Sequence, residues 1–349
     1  MNAPNVAPDG ASDVDLTSMI LGHMQSRIVH VAVEAGIIDA LDAAPTTSSA
    51  LAAACFCERG ATLRLLRGLV ALGLAREPEP DQFASSARAD PLRSGARSSL
   101  RGLVLMLGSE RAWHSWAHMM YSVQTGIPAS HHLFNMTADE YFAKNEGAAA
   151  LHAQAMGELA GRVADALVDR QEFARFDTVV DIGGDDGRLL MRILADRPGL
   201  AGTLLVKACR MSDVRARVVR AGLRERCELA TGKLFDPMPE GRDAYLMKSV
   251  LRDWADDRCI AILQRVRDAM RQDSELLLVE RLMPQQLADC PAHRLAAITD
   301  LNLLVMTGGR QRTLAQIDRL LAGSSLRRAG EPVPLAGTSE SLLAVRRLS

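Results

Sequence analysis

The chain has 349 residues, 48% of them apolar, and a formal net charge of −1. This length and apolar content suit two domains, each with its own buried core. The charge balance argues against a nucleic-acid or membrane-surface partner, because both require a basic excess. Lysine occurs only at Lys144, Lys207, Lys233 and Lys248. The six cysteines (Cys55, Cys57, Cys209, Cys227, Cys259, Cys290) lie in apolar or helical contexts. Cys55 and Cys57 form a lone C-x-C with no histidine at ligand spacing, so free thiols and no metal are expected. Residues 1–15 are acidic and polar where a signal peptide needs charge followed by apolar residues. No run of 18 uncharged apolar residues exists to span a bilayer. The expected compartment is the cytoplasm.

Residues 1–15 read as a tail. From Leu16 the spacing of Met19, Ile20, Ile28, Val31 and Ala32 is helical, and Gly36 ends that stretch. A short helix around Ile38–Leu41 and another over Ala50–Ala54 follow. Leu63, Leu66, Leu69 and Val70 line one face of a third helix, and LAREPEPDQFASS reads as a two-stranded wing. Helix, helix, helix and wing describe a winged helix over residues 16–112. DNA reading needs several exposed basic and amide residues, and the third helix offers only Arg64 and Arg67. Dimerisation is the better expectation.

Residues 113–170 predict linking helices. Their methionines and aromatics suit either a core or a pocket for a flat apolar ligand. From 171 to 349 strands and helices alternate. TVVDI, TLLV, CELAT, DAYLMKSV and ELLLVE are the strands, and RLLMRILAD, SDVRARVVRAGL and DRCIAILQRVRDAM the helices. That order predicts a doubly wound, Rossmann-like α/β sheet, closed by an antiparallel hairpin from EPVPLAG and SESLLAVRRL.

D-x-G-G-x-x-G between a strand and a helix brings backbone N–H groups to a polar cofactor, and alone it is a weak signal. Here VVDIGGDDGRLL, AYLMKSVLRDW, LLLVERLMP and DLNLLVMTGGRQRT follow in order. Together they resemble successive motifs of the S-adenosylmethionine-dependent O-methyltransferases, of the caffeate and bacterial polyketide-tailoring type. RLLRGLVALGL and HMMYSVQTGIPAS resemble that family's dimerisation domain and its following helix. The resemblance implies a class I methyltransferase fold with a mostly helical winged-helix dimerisation domain, and a homodimer. It places Asp181, Gly183, Gly184, Gly187 and Lys248 in a cofactor site, here expected to be vestigial.

Five positions depart from the pattern: Asp185 for a loop glycine, Val206 for the ribose carboxylate, Lys233 for an acid near the adenine, Arg252 for the histidine base, and Gln311 for a carboxylate that orients it. Glu280, the other orienting carboxylate, is kept. Arginine cannot accept a phenol proton at neutral pH. The expectation is therefore a natural-product tailoring enzyme, acting on a small apolar or aromatic substrate, that has lost methyl transfer and needs no cofactor. Its chemistry would be cyclisation, rearrangement or decarboxylation, with Arg252 and Glu280 catalytic. The alternatives are a genuine methyltransferase of a phenolic or polyketide substrate using S-adenosylmethionine, and a non-catalytic partner of an active paralogue. Met119, Met120, Phe134, Met136, Trp254, Asn302 and Met306 are the expected substrate-pocket residues. Asp185 and Asp186 are expected to pair with Lys207 and Lys233.

Overall fold

The computed structural model describes residues 13–96, 98–184 and 186–348. The chain divides into two compact units, with the break between Ser109 and Glu110. The segment read as linking helices clusters with the second unit.

In the first unit, helices α1 (Asp13–Ile20), α2 (Gly22–Glu34) and α3 (Ile37–Ala40) precede β1 (Thr46–Thr47), α4 (Ser48–Ala54) and α5 (Arg59–Ala71). Helix α1 starts inside the stretch read as tail. Leu66 and Leu69 of α5 are fully buried, and Glu58 caps its start by accepting from Gly60 and Ala61 N–H at 2.8 and 2.6 Å. The wing is β2 (Ala75–Glu79) and β3 (Gln82–Ser85), joined by β1 in the order β1-β3-β2. Helix α6 (Arg101–Leu107) closes the unit. Leu16, Met19, Ile20 and Met24 are exposed on α1 and α2. No helix among the described residues is long and apolar enough to cross a membrane.

The second unit begins with α7 (Glu110–Ala117), α8 (Met119–Thr125), α9 (Ala129–Phe134), α10 (Ala138–Lys144) and the long α11 (Glu146–Asp169). The sheet strands are β4 (Thr178–Ile182), β5 (Ala201–Val206), β6 (Cys227–Thr231), β7 (Ala244–Lys248) and β8 (Glu275–Glu280). Helices α12 (Arg188–Asp196), α13 (Met211–Arg220) and α14 (Asp256–Ala269) connect them. After β8 come α15 (Pro291–Met306), α16 (Leu314–Gly323), and strands β9 (Leu326–Arg328), β10 (Val333–Pro334) and β11 (Ser341–Arg347). The sheet order is β10-β11-β8-β7-β4-β5-β6, with β9 also on β11. Strands β4 to β8 are parallel, and β11 runs antiparallel to β8 with Ser341 opposite Glu280.

Strand β8 shows why the sheet sits where it does. All six of its residues are buried, because helices cover both faces. Leu277 and Val279 pack with α11 and α12 residues such as Leu167 and Leu190. Leu276 and Leu278 pack on the other face with Ile262 and Val266 of α14. The parallel strands then end at one edge, where the glycine loop, the turn after β7 and Glu280 lie.

Candidate active site

The cofactor loop leaves β4 at Asp181, which is 1% exposed. Gly183 and Gly187 hold φ of 84° and 73°, and Gly187 opens α12. A Cβ on Gly183 would lie 2.7 Å from Val250 Cγ2, and one on Gly184 would collide with the Asp181 carboxylate. Positions 183 and 184 thus have no room for a side chain, which is compatible with a backbone cradle for the adenosyl cofactor that the resemblance implies. The neighbouring strand end is less suited. Val206 is fully buried at the end of β5, Lys207 and Lys233 are exposed, and no described residue at that strand end offers a carboxylate to a ribose diol. Asp186 does not take the expected lysine partners. It pairs with Arg188 at 3.0 Å and Arg217 at 3.4 Å, residues that open α12 and lie along α13. Asp185 lies outside the described residues.

The turn after β7 (Leu251–Asp253) carries Arg252. Its backbone is pinned on two sides. Leu251 N–H donates to Glu280 Oε1 at 3.1 Å, and Arg310 N–H donates to the Arg252 carbonyl at 2.8 Å. Gly309 permits that approach, since a Cβ there would lie 2.5 Å from the Arg252 oxygen. The Arg252 side chain is 25% exposed, and its Nε is buried without a hydrogen-bond partner, 3.9 Å from Asp253 Oδ1. No Arg252–Glu280 ion pair forms within 4 Å. Instead Glu280 spends one oxygen on the Leu251 N–H.

Glu280 is 4% exposed, and burial pushes its carboxyl up to about 7. Arg252, the Leu251 N–H and Lys248 oppose that rise, and Asp253 adds to it. Burial also lowers the Lys248 ammonium, with Arg252 acting in the same direction. Asp253 is 48% exposed, and desolvation by its surroundings raises its carboxyl, with Asp139 of α10 adding to the effect. Gln311 is 6% exposed and donates through Nε2 to Thr299 Oγ1 at 2.8 Å. The structure therefore brings Arg252, Lys248 and the buried Glu280 close enough to shift one another, with no ion pair of Arg252 or Lys248 to Glu280 within 4 Å.

The expected pocket residues separate. Met119 and Met306 pack with Trp116, Ala112, Ala129 and Val305. Asn302 Oδ1 accepts from Trp116 Nε1 at 2.9 Å, which ties α7 to α15. Phe134 meets Tyr141 edge-on at 5.2 Å, and Met136 is partly buried just beyond α9. Trp254 stands edge-on to Phe235 at 5.0 Å and packs against the core. Met120 is 67% exposed. Successive helix residues point about 100° apart, so seating Met119 inward turns Met120 to solvent. Arg111, which the sequence did not single out, is buried on α7 over the Tyr141 and Phe142 rings at 4.8 and 5.2 Å. Its neighbours in sequence are polar and apolar alike, so only the tertiary packing distinguishes it from a surface arginine.

An O-methyltransferase domain model matches residues 116–327, and an O-methyltransferase dimerisation domain model matches residues 17–92. The chain is 34% identical to an O-demethylpuromycin-O-methyltransferase from Streptomyces alboniger, over 98% of this chain and 90% of the relative. It is 33% identical to a phenazine O-methyltransferase from Lysobacter antibioticus, over 88% and 89% of the two chains. The solved structure of a mitomycin 7-O-methyltransferase superposes with a TM-score of 0.83 at 31% identity, over 97% of this chain and 98% of that one. With its cradle, its parallel sheet and these matches running along nearly its whole length, the chain belongs to the O-methyltransferase family and has the class I methyltransferase fold with an N-terminal dimerisation domain.

Proposed function

We propose that the chain is a tailoring enzyme for a small aromatic metabolite, and that methyl transfer from S-adenosylmethionine is the reaction with most support. Kinship to named methyltransferases along nearly the whole chain carries this reading, and the glycine cradle is consistent with it. Bound there, the cofactor would supply the methyl electrophile. The chain's own residues then have to deliver an acceptor without a histidine base. A fixed cation beside a phenol favours its ionised form by about 1–3 pKa units, so Arg252 would present the acceptor already as the phenolate. Glu280, with its carboxyl near 7, is a buried group able to exchange a proton at neutral pH. The match to a dimerisation domain and the exposed apolar residues of α1 and α2 support a homodimer.

A second reading is favoured by Val206, Lys233, Arg252 and Gln311 at the positions of cofactor and base contacts. In it methyl transfer is lost, no cofactor is used, and Arg252 stabilises an enolate or carboxylate during cyclisation, rearrangement or decarboxylation. Calorimetry with S-adenosylmethionine, followed by mass spectrometry of phenols incubated with the enzyme and cofactor, separates the two. Saturable binding and a methylated product are expected. No binding up to about 1 mM cofactor, a few kcal/mol of affinity, with no methylated product, would remove the first reading in favour of the second.

A further inference from the structure

Among the described residues two arginines are buried, Arg111 and Arg312, and they are answered differently. Arg312, 3% exposed, donates to Asp256 at 3.0 Å and to the Leu251 and Trp254 carbonyls. Arg111 differs. It is 9% exposed, its contacts with Tyr141 and Phe142 engage the faces of those rings, and both Nε and Nη2 are buried without a hydrogen-bond partner. The neighbour that favours its charge is the Tyr141 phenol and not a carboxylate. Nε2 of His131, on α9, is likewise buried without a partner. Burial, with Arg111 adding to the effect, keeps that imidazole on the neutral side of its usual range.

Folding does not leave a cation and its donors dry without a counterpart, because each unanswered donor is destabilising. The two unanswered atoms of Arg111 are informative as a pair. Nε and Nη2 form the side-on edge of the guanidinium, whose two parallel N–H bonds match the two oxygens of a planar carboxylate. Tyr141 and Phe142 hold that plane and supply an aromatic lining. Helix α10, which carries both rings, also carries Asp139, close enough to Asp253 to raise its carboxyl beyond the rise from burial. Arg111, through the two rings, and the Arg252 turn, through Asp253, thus both meet α10.

We propose that Arg111 recognises the carboxylate of an aromatic acid, so that the acceptor is a carboxylated aromatic and not a neutral phenol. The inference rests on the reading that an aromatic acceptor enters this end of the second unit, and it adds the substrate's anionic group. Side-on pairing to the Nε–Nη2 edge leaves the ring of the acid free to lie among Tyr141, Phe142 and Phe134.

The test is calorimetry on the full chain at pH 7 without cofactor, using 1-hydroxy-2-naphthoate and its neutral carboxamide as probes. The acid is expected to bind roughly 10- to 100-fold more tightly, as a charge-assisted pair does. Arg111→Met should erase that preference while leaving the melting temperature unchanged or higher, because a buried unpaired cation is gone. Arg111→Lys should keep part of the preference. If Arg111→Met does not fold, Arg111→Gln, which keeps a donor and loses the charge, is read in its place. Equal binding of acid and amide, no binding of the acid at about millimolar concentration, or a preference that survives either neutral variant overturns the proposal. Neither cofactor nor turnover enters this measurement. A chain that transfers no methyl group can therefore still show the acid preference, and a methyltransferase can lack it.

Discussion

Strand β8 begins and ends with a buried glutamate, and the two ends of the sheet treat them oppositely. Glu275 is 3% exposed and meets Arg175 at 2.7 Å and Arg346 at 3.0 Å, which hold its carboxyl below the usual range against the effect of burial. Nearby, Asp243 accepts from Thr178 and pairs with Arg271. Five residues later on the same strand, Glu280 is as buried but accepts one backbone N–H at 3.1 Å, and its carboxyl rises to about 7. Satisfied charges at the amino edge fasten strands together. Incompletely satisfied charges at the carboxyl edge retain the capacity to act on something else, which is where perturbed groups point to function.

The strongest way to break this contrast is to remove Arg252. Arg252→Ala should lower kcat/KM by about 10²–10³, as loss of a fixed charge at a reacting centre does, with the melting temperature nearly unchanged. Full activity in that variant would move the chemistry elsewhere in the pocket. Next in size is the effect of pH. The folded chain holds a proton on Glu280 that the unfolded chain releases, so this group's contribution is fully present below about pH 4.5 and is lost as pH rises to about 7. The full swing is about 3 kcal/mol, read by urea unfolding as the difference between wild type and Glu280→Gln. Glu275 slopes the other way. Its stabilisation is present above its ordinary value and fades as pH falls through the lowered one.

Glu275→Gln should then cost about 1–3 kcal/mol near neutral pH, because it breaks a buried charge from two partly exposed arginines. Chemical denaturation measures that, and an unchanged midpoint would show the amino edge to be no fastener. The smallest effect belongs to Met120. Met120→Ala should leave stability within about 0.5 kcal/mol and KM unaltered, and a raised KM would return that side chain to the pocket.

The fold was legible because its signals are local and redundant. TVVDI reads as a strand, Gly183 and Gly187 as the turn, and RLLMRILAD as a helix, since Leu189, Leu190, Ile193 and Leu194 recur on one face. The site was legible only in part. Arg252 and Glu280 could be placed at the ends of their strands by motif, but that Glu280 would accept the Leu251 N–H and leave Arg252 without an ion pair to it depends on how the turn folds back. The choice of Arg188 and Arg217 by Asp186 is likewise a matter of helix packing. Met120 is exposed where Met119 is packed, and a methionine pair on a short helix gives no sign in the sequence of which member faces inward. Arg111 escaped notice because burial of a charge is a property of three dimensions, and its sequence neighbours carry no periodic signal for it.

Strand β11 has a consequence for how the protein is made. The edge of β8 that carries Glu280 is completed by Ser341–Val345, which leave the ribosome roughly sixty residues after it. At about 5–20 residues per second that interval is roughly 3–12 s. Throughout it, the apolar ELLLVE strand has an open row of donors and acceptors of the kind that invites pairing with another nascent chain. Yield in a cell therefore depends on how fast translation clears this last stretch, and slow codons between residues 281 and 341 should shift the product toward aggregate without changing a single amino acid.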